Sequence, residues 1–245
     1  MMQETSPNPY AVGAPQVAAY AADSERLTFI RRTYAHMTGA IVALIAVEAV
    51  LFQVVPAATM DMLVTRMLSG FGWLIVLGAF MVVSWVARAW ATNGGSLAVQ
   101  YAGLGLYVVA QAVILLPMLY ICIRVLGEPS LPIMAAIITA MCFIGLTAFT
   151  FITGADFSGW GKYLALGGLV ALGMIVASIF FSFSLGLWFS GLMVLLACGY
   201  ILYDTSNIIH QYSTSQYVAA SLALFASVVL LFYYVLQIMM SMSRE

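Results

Sequence analysis

The chain has 245 residues, of which 64% are hydrophobic and 7% are charged. A soluble globular domain needs more polar residues to cover its surface, so this composition excludes that class and indicates an integral membrane protein. The net charge of −1, without a run of basic residues, excludes a nucleic-acid-binding surface. Cys122, Cys142 and Cys198 lie in apolar segments without the spacing of metal ligands, so we expect no metal or other cofactor.

The first part of the chain, residues 1–25, is rich in Ala, Pro, Ser and Gln and contains no apolar run. It lacks the basic start and continuous apolar core of a secretory signal, so it predicts a flexible cytosolic tail. Residues 26–245 have room for about seven spans of roughly 20 residues with short connections. They therefore predict one transmembrane domain.

Seven apolar segments are long enough to cross a bilayer as helices, and they cover residues 34–55, 68–90, 101–123, 131–152, 163–183, 187–209 and 216–240. Their short connections predict an all-α bundle in which neighbouring helices run antiparallel. The connection at residues 182–186 carries no charge. A six-span alternative, in which the fifth, sixth or last segment is re-entrant, therefore stays open.

The basic residues near the span ends predict the orientation, because Lys and Arg prefer cytoplasmic loops. If the chain has seven spans and its N-terminus is inside, five of the basic residues lie in the cytosol and three lie outside. Lack of a cleavable signal fits a multi-pass protein of a bacterial inner membrane. The cytosolic set is Arg26, Arg31, Arg32, Arg88 and Lys162, and the outer set is Arg66, Arg124 and Arg244.

Residues 197–236 contain a single acidic residue, Asp204, inside an apolar run. Ile208 and Ile209 follow it, so the helix is predicted to continue for about a turn and a half beyond the carboxylate. An ionisable group inside a membrane is costly unless it faces a protein interior or a water-filled cavity. Asp204 is therefore the first functional candidate.

Glu48 is a second acidic residue inside a span, near the middle of the first apolar segment. It is too short to reach either membrane surface as a long basic side chain does. Two interpretations stay open. Glu48 either faces the bundle as a proton-carrying or ion-contacting group, or is protonated and hydrogen-bonded to a neighbouring helix.

The sequence lacks the residues that several known activities of membrane proteins require. A retinal photoreceptor needs a lysine in its last span, but the only lysine, Lys162, lies in a loop. An intramembrane serine protease needs a basic partner at the depth of Ser190, and no histidine is predicted there. An aspartyl protease needs two carboxylates at one level, and Asp156 is predicted in a loop. We therefore expect a protein that is not an enzyme.

Four segments, in order, resemble the Bax inhibitor family of transmembrane proteins. FIRRTY at residues 29–34 is similar to the family's opening, and PMLY at 117–120 to its proline segment. TFIT at 150–153, running into DFS at 156–158, resembles its fourth-to-fifth connection. YDT at 203–205, YVAASL at 217–222, and the later Leu231, Phe232 and Leu236 resemble its C-terminal signature.

This resemblance implies six helices around a central, hydrophobic seventh. It also implies a pH-sensitive calcium leak, in which two aspartates on the sixth and seventh helices share a proton and hold the pore shut. Asp204 matches the first aspartate, but Ser227 stands where the second is expected. A serine hydroxyl carries no charge to couple with Asp204, so we expect a broader and weaker pH response.

The implied function is ion homeostasis, with Asp204 as the titrating gate and calcium as the conducted ion. Calcium prefers roughly six to eight oxygen ligands. Ser227, Ser206 and Asn207 offer further oxygens, and Glu48 does so only if the first span packs against the last two. The alternative is a non-conducting interaction protein that binds a membrane AAA protease or another membrane partner. The tail and the missing second aspartate support that alternative.

Overall fold

The computed structural model describes residues 16–243, which fold into helices joined by short connections. A π-helical turn, Ile121–Val125, extends the fourth helix, and a short 3-10 turn, Ser158–Trp160, precedes the sixth. The α-helices of this part of the chain are α1 (Asp23–Val54), α2 (Ala57–Leu68), α3 (Gly72–Ala91), α4 (Leu97–Tyr120), α5 (Ser130–Thr153), α6 (Gly161–Phe181), α7 (Gly186–His210) and α8 (Tyr217–Met242).

All of these helices except α2 are long and apolar enough to cross a membrane, which gives seven candidate spans. The prediction of an all-α membrane protein with seven spans is therefore confirmed. The uncharged connection between the fifth and sixth spans separates two full helices. It turns through Ser182 and Gly186, which have φ angles of 52° and 66°. Only glycine adopts this left-handed conformation at little cost.

One face of the bundle carries the beginnings of α1, α4, α6 and α8, and we call it the N-terminal face. Contacts between distant parts of the chain define it. The His36 ring lies 2.9 Å from the Tyr101 hydroxyl near the start of α4, as a hydrogen bond. The same ring packs against Tyr217 at the start of α8, with centroids 5.1 Å apart. The ends of α3, α5 and α7 lie at this face as well.

The structure contains one helix that the sequence did not predict. The 12 residues of α2 are too few to span a bilayer. Met60, Val64 and Met67 are buried along one side of it, and the first two pack with Tyr120 of α4. The Tyr120 hydroxyl also donates a hydrogen bond to Asp61, at 3.1 Å. α2 thus lies at the face opposite the N-terminal face, beside the end of α4.

α8 is the most buried of the spans. In the most apolar stretch of α8, 78% of the residues are buried, compared with 11% in the corresponding stretches of α3 and α6. α8 packs against α1, α3, α4, α5 and α7, whereas α6 packs mainly against α7. A central α8 agrees with this packing, but the ring of six helices around it stays a prediction.

The residues just before α1 pack against the connection between α7 and α8. Val17 forms an antiparallel bridge with Ser213, and the fully buried Ala18 donates its N–H to the Tyr212 carbonyl at 2.9 Å. The part of the predicted tail that the structure describes is therefore not flexible, because backbone hydrogen bonds hold residues 16–20 and α1 already starts at Asp23. Residues 1–15 of the predicted tail, and Arg244, lie outside the described residues.

Gly103 sets the close approach of α3 and α4. A Cβ atom at this position would lie 2.6 Å from the Ala87 carbonyl oxygen and 2.8 Å from the Ala91 nitrogen. Small residues allow such close backbone contact between membrane helices. The contact matters for the site below, because it fixes the end of α3 that carries Arg88.

We expect Gly103→Ala to lower the thermal midpoint of the purified protein in detergent. The added methyl group forces α3 away from α4, and overpacking of this kind costs about 1–3 kcal/mol. Gly105→Ala is the matched control in the same helix, since a Cβ there has no atom within 4 Å. Alanine also favours the helix over glycine. Equal midpoints for the two variants would contradict the proposed contact.

Candidate functional site

Asp204 lies inside α7, six residues before the helix ends at His210. That distance corresponds to about 9 Å of helix at a rise of 1.5 Å per residue. The prediction that the helix continues past Asp204 is therefore confirmed. The side chain is buried, with 7% of its surface exposed. A carboxyl group at this position needs a polar partner within the bundle.

Ser227 of α8 provides that partner. Its hydroxyl donates a hydrogen bond to Oδ2 of Asp204 at 2.5 Å. Ser227 is itself 5% exposed, so the pair lies in the α7–α8 interface. The two residues that the family resemblance brought together are in direct contact. The contact joins a carboxyl group to a hydroxyl group rather than to a second carboxyl group.

Arg88 is a member of this site that the sequence analysis did not single out. It lies in the last turn of α3, and its guanidinium carbon is 5.6 Å from the centre of the buried Tyr107 ring. From this position the cation interacts electrostatically with Asp204. The only sign of Arg88 in the sequence was its position near the end of a span. A basic residue there normally indicates which end of the span is cytosolic, not a functional site. Only the packing of α3 against α4 and α8 brings its charge to Asp204.

Ser206 belongs to a neighbouring cluster at the N-terminal face. Its hydroxyl donates to Oδ1 of Asp156 at 3.2 Å and accepts the N–H of Phe157 at 2.8 Å. The His210 ring lies 3.4 Å from the same hydroxyl. The backbone N–H of Ser158 donates to Asp156 at 2.9 Å, and this bond, first among several, lowers the pKa of that carboxyl group. Ser206 therefore anchors the α5–α6 connection onto α7.

Asn207 lines a pocket of about 470 Å³ that opens on the N-terminal face, and we call it the N-face pocket. Asn207 follows Asp204 by three residues, so both lie on the same side of α7, about one turn apart. The pocket is largely polar, and its lining residues are Ser158, Gly159, Tyr203, Asn207, Gln211, Tyr212 and Gln216.

A second pocket of about 470 Å³ opens on the opposite face, where Ser190 of α7 and Gln237 of α8 contribute to its wall. Fully buried residues of α7 and α8 lie between the two pockets. Along both helices, the Asp204–Ser227 pair comes between the N-face pocket and this apolar layer. The members of the layer with no exposed surface include Ala197, Ile201, Leu231 and Leu236.

Glu48 does not join the Asp204 site. It is buried in α1, and its two carboxyl oxygens have no hydrogen-bond partner in the described structure. It lines a separate cavity between α1, α4, α5 and α8. The first span does pack against the last one, as an oxygen from Glu48 at the site would need, but α1 contacts α8 on the side away from Asp204. Of the predicted oxygens, only that of Ser227 contacts Asp204.

The arrangement has two chemical capabilities. The carboxyl group of Asp204 can hold or release a proton, and in its ionised form it can attract a cation. Within residues 16–243 no group of three or more His, Cys, Asp and Glu side chains forms a metal site. A cation at Asp204 would therefore take its other oxygens from hydroxyl groups, from backbone carbonyls or from water.

Comparison with known proteins agrees with this architecture. "Bax inhibitor 1" of Schizosaccharomyces pombe is 38% identical over 43% of this chain, and "Protein lifeguard 4" of Mus musculus is 32% identical over 47%. The matched regions span 40% and 49% of those proteins, about half of their length or less. "Protein LIFEGUARD 4" of Arabidopsis thaliana is 30% identical over 84% of this chain and 82% of its own length.

No solved structure matches the chain at a significant level. The family model described as "Inhibitor of apoptosis-promoting Bax1" matches residues 26–244, which include all of the candidate spans except the first three residues of α1. The chain therefore belongs to the Bax inhibitor family of multi-pass membrane proteins.

Proposed function

We propose that this protein is a pH-sensitive calcium leak, with Asp204 as the titrating gate residue. The observation that carries the proposal is the position of the Asp204–Ser227 pair. It lies inside the bundle, between a polar pocket on one face and an apolar layer that closes the way to the other. A carboxylate in a membrane interior marks an ion or proton path more often than a packing element.

The gate works by the charge on one carboxyl group. In its ionised form, Asp204 attracts a divalent cation into the bundle and lowers the cost of its partial dehydration. When it is protonated, this attraction is lost, and the Ile201 and Leu231 layer stays closed to ions. Arg88 competes with the cation for the carboxylate charge. Opening therefore requires α7 and α8 to move apart at the apolar layer.

We further propose that the N-terminal face is cytosolic and that the protein lies in a bacterial inner membrane. The basic residues favour this orientation, because Lys and Arg prefer the cytosolic side. Five basic residues lie near span ends at the N-terminal face, and two of the residues that the structure describes lie at the opposite face. The acidic Asp156 and the N-face pocket would then face the cytosol. The leak would respond to cytosolic pH. The two sets are Arg26, Arg31, Arg32, Arg88 and Lys162, and Arg66 and Arg124.

The first prediction concerns the Asp204 carboxylate. In liposomes at neutral pH, we expect Asp204→Asn to reduce calcium flux about tenfold, because one charged contact to the cation is lost. The remaining flux should not change between pH 6 and 8, since asparagine does not titrate in this range. Flux is measured with a calcium-sensitive dye inside the vesicles.

Asp23→Asn is the matched control, because it removes an exposed carboxylate at the same face without touching the pair. It should conduct like the parent protein. Flux from the parent protein no greater than that of protein-free liposomes would contradict the leak. If a membrane protease also co-purified with the parent, the non-conducting interaction protein would be the better account.

The second prediction concerns the missing aspartate. We expect Ser227→Asp to make the pH dependence of flux steeper, because two carboxyl groups in contact titrate as a coupled pair. Ser227→Ala removes the hydrogen bond without adding a charge, and its pH dependence should be no steeper than that of the parent. Identical pH profiles for the Asp and Ala variants would show that position 227 does not act on the gate.

A further inference from the structure

A further cavity lies between helices of the bundle, away from the proposed ion path. It has a volume of about 910 Å³ and is bounded by α1, α4, α5 and α8. Its walls are almost wholly aliphatic and aromatic. Several lining side chains at its edge are exposed, among them Ile45, Ile133 and Ile137, at 63%, 63% and 56%. These residues face the bilayer core, so the cavity opens between α1 and α5 toward lipid.

Apart from Arg124 at the exposed end, two polar side chains interrupt this apolar lining. Glu48 is 7% exposed, and neither of its carboxyl oxygens has a hydrogen-bond partner in the described structure. Thr139, on the opposite wall in α5, is 3% exposed, and its hydroxyl also has no partner. Buried polar groups are normally paired, because an unpaired one forfeits its interaction with water. Three unpaired oxygens that line one cavity indicate a site for a ligand that donates hydrogen bonds.

The charged residues that line the cavity indicate which chemical class of ligand would fit. Arg124 is the only other charged residue of the lining, and it lies at the exposed end without contacting Glu48. Asp204 does not contribute to the wall. Glu48 therefore lacks a cation of its own, and in a region of low dielectric a carboxylate is stabilised most by a cation that also donates hydrogen bonds.

We propose that this cavity binds a lipophilic amine, with its ammonium group paired to Glu48 and its apolar body against α1, α5 and α8. An ammonium group supplies three donors, which suffice for Glu48 and Thr139 together. A fatty alcohol supplies one donor and no charge, and an acyl chain alone supplies neither. The ligand enters from the bilayer between α1 and α5, so it needs no aqueous path. The proposal does not depend on ion conduction.

The test uses the full chain in phosphatidylcholine nanodiscs at neutral pH, where an alkylamine is protonated. The probe is tetradecylamine with a diazirine in mid-chain, and adducts formed on irradiation are mapped by mass spectrometry. We expect saturable adducts on the cavity walls of α1 and α5, displaced by unlabelled tetradecylamine. Glu48→Gln should weaken binding at least tenfold, because it removes the charge from the hydrogen-bonded pair.

Three controls separate this site from general attraction of amines to the protein. Glu128→Gln removes an exposed carboxylate outside the cavity and should label like the parent. Ala136→Phe fills the cavity while Glu48 is retained, and it should abolish the saturable adducts. Tetradecanol with the same diazirine should not label the cavity saturably. Size-exclusion profiles and thermal midpoints show whether each variant is folded.

Several results would overturn the proposal. Equal labelling of the parent and of a folded Glu48→Gln variant would show that the carboxyl group does not recognise the amine. Equally strong saturable labelling by tetradecanol would point to an apolar occupant that ignores charge. Adducts confined to residues outside the walls of α1, α4, α5 and α8 would place amine binding elsewhere.

Discussion

A carboxyl group inside an apolar helix bundle must find a polar partner, and this constraint organises the structure around α7 and α8. Asp204 meets it with the hydroxyl of Ser227 and, at longer range, with the charge of Arg88. Each partner comes from a different helix. The pair therefore depends on the packing of α3, α7 and α8, and a change in that packing changes the environment of the carboxyl group. In the leak that we propose, this dependence lets the proton on Asp204 act as a signal.

The two buried acids of the spans show opposite solutions to the same constraint. Asp204 is satisfied within the protein, whereas Glu48 is left without a partner beside a cavity that opens to lipid. α8 lies between them, since Ser227 contacts Asp204 while Val228 and Val229 line the Glu48 cavity. A ligand in that cavity would touch α8, the helix that carries Ser227. The cavity that we propose as an amine site thus lies next to the Asp204–Ser227 pair without joining it.

Composition and hydropathy were enough to predict the class, the seven spans and the depth of Asp204, because a lone acid in an apolar run is a strong signal. The pairing with Ser227 followed from resemblance, not from spacing. The sequence did not reveal the role of Arg88 or the position of Glu48. Spans that are apolar on every side give no periodicity, so only tertiary packing decides which face meets which helix. α2 was missed because its 12 residues are too few to look like a span.

The claim that Ser227 holds Asp204 in the interior of the bundle is tested most directly by infrared spectroscopy. Difference spectra between acidic and alkaline buffer would be recorded in lipid bilayers for the parent protein, Asp204→Asn and Ser227→Ala. A buried Asp204 that takes up a proton should give a protonated-carboxyl band that Asp204→Asn lacks. Loss of the hydrogen bond should move that band to higher frequency in Ser227→Ala. A band at the same frequency in the parent and in Ser227→Ala would contradict the account.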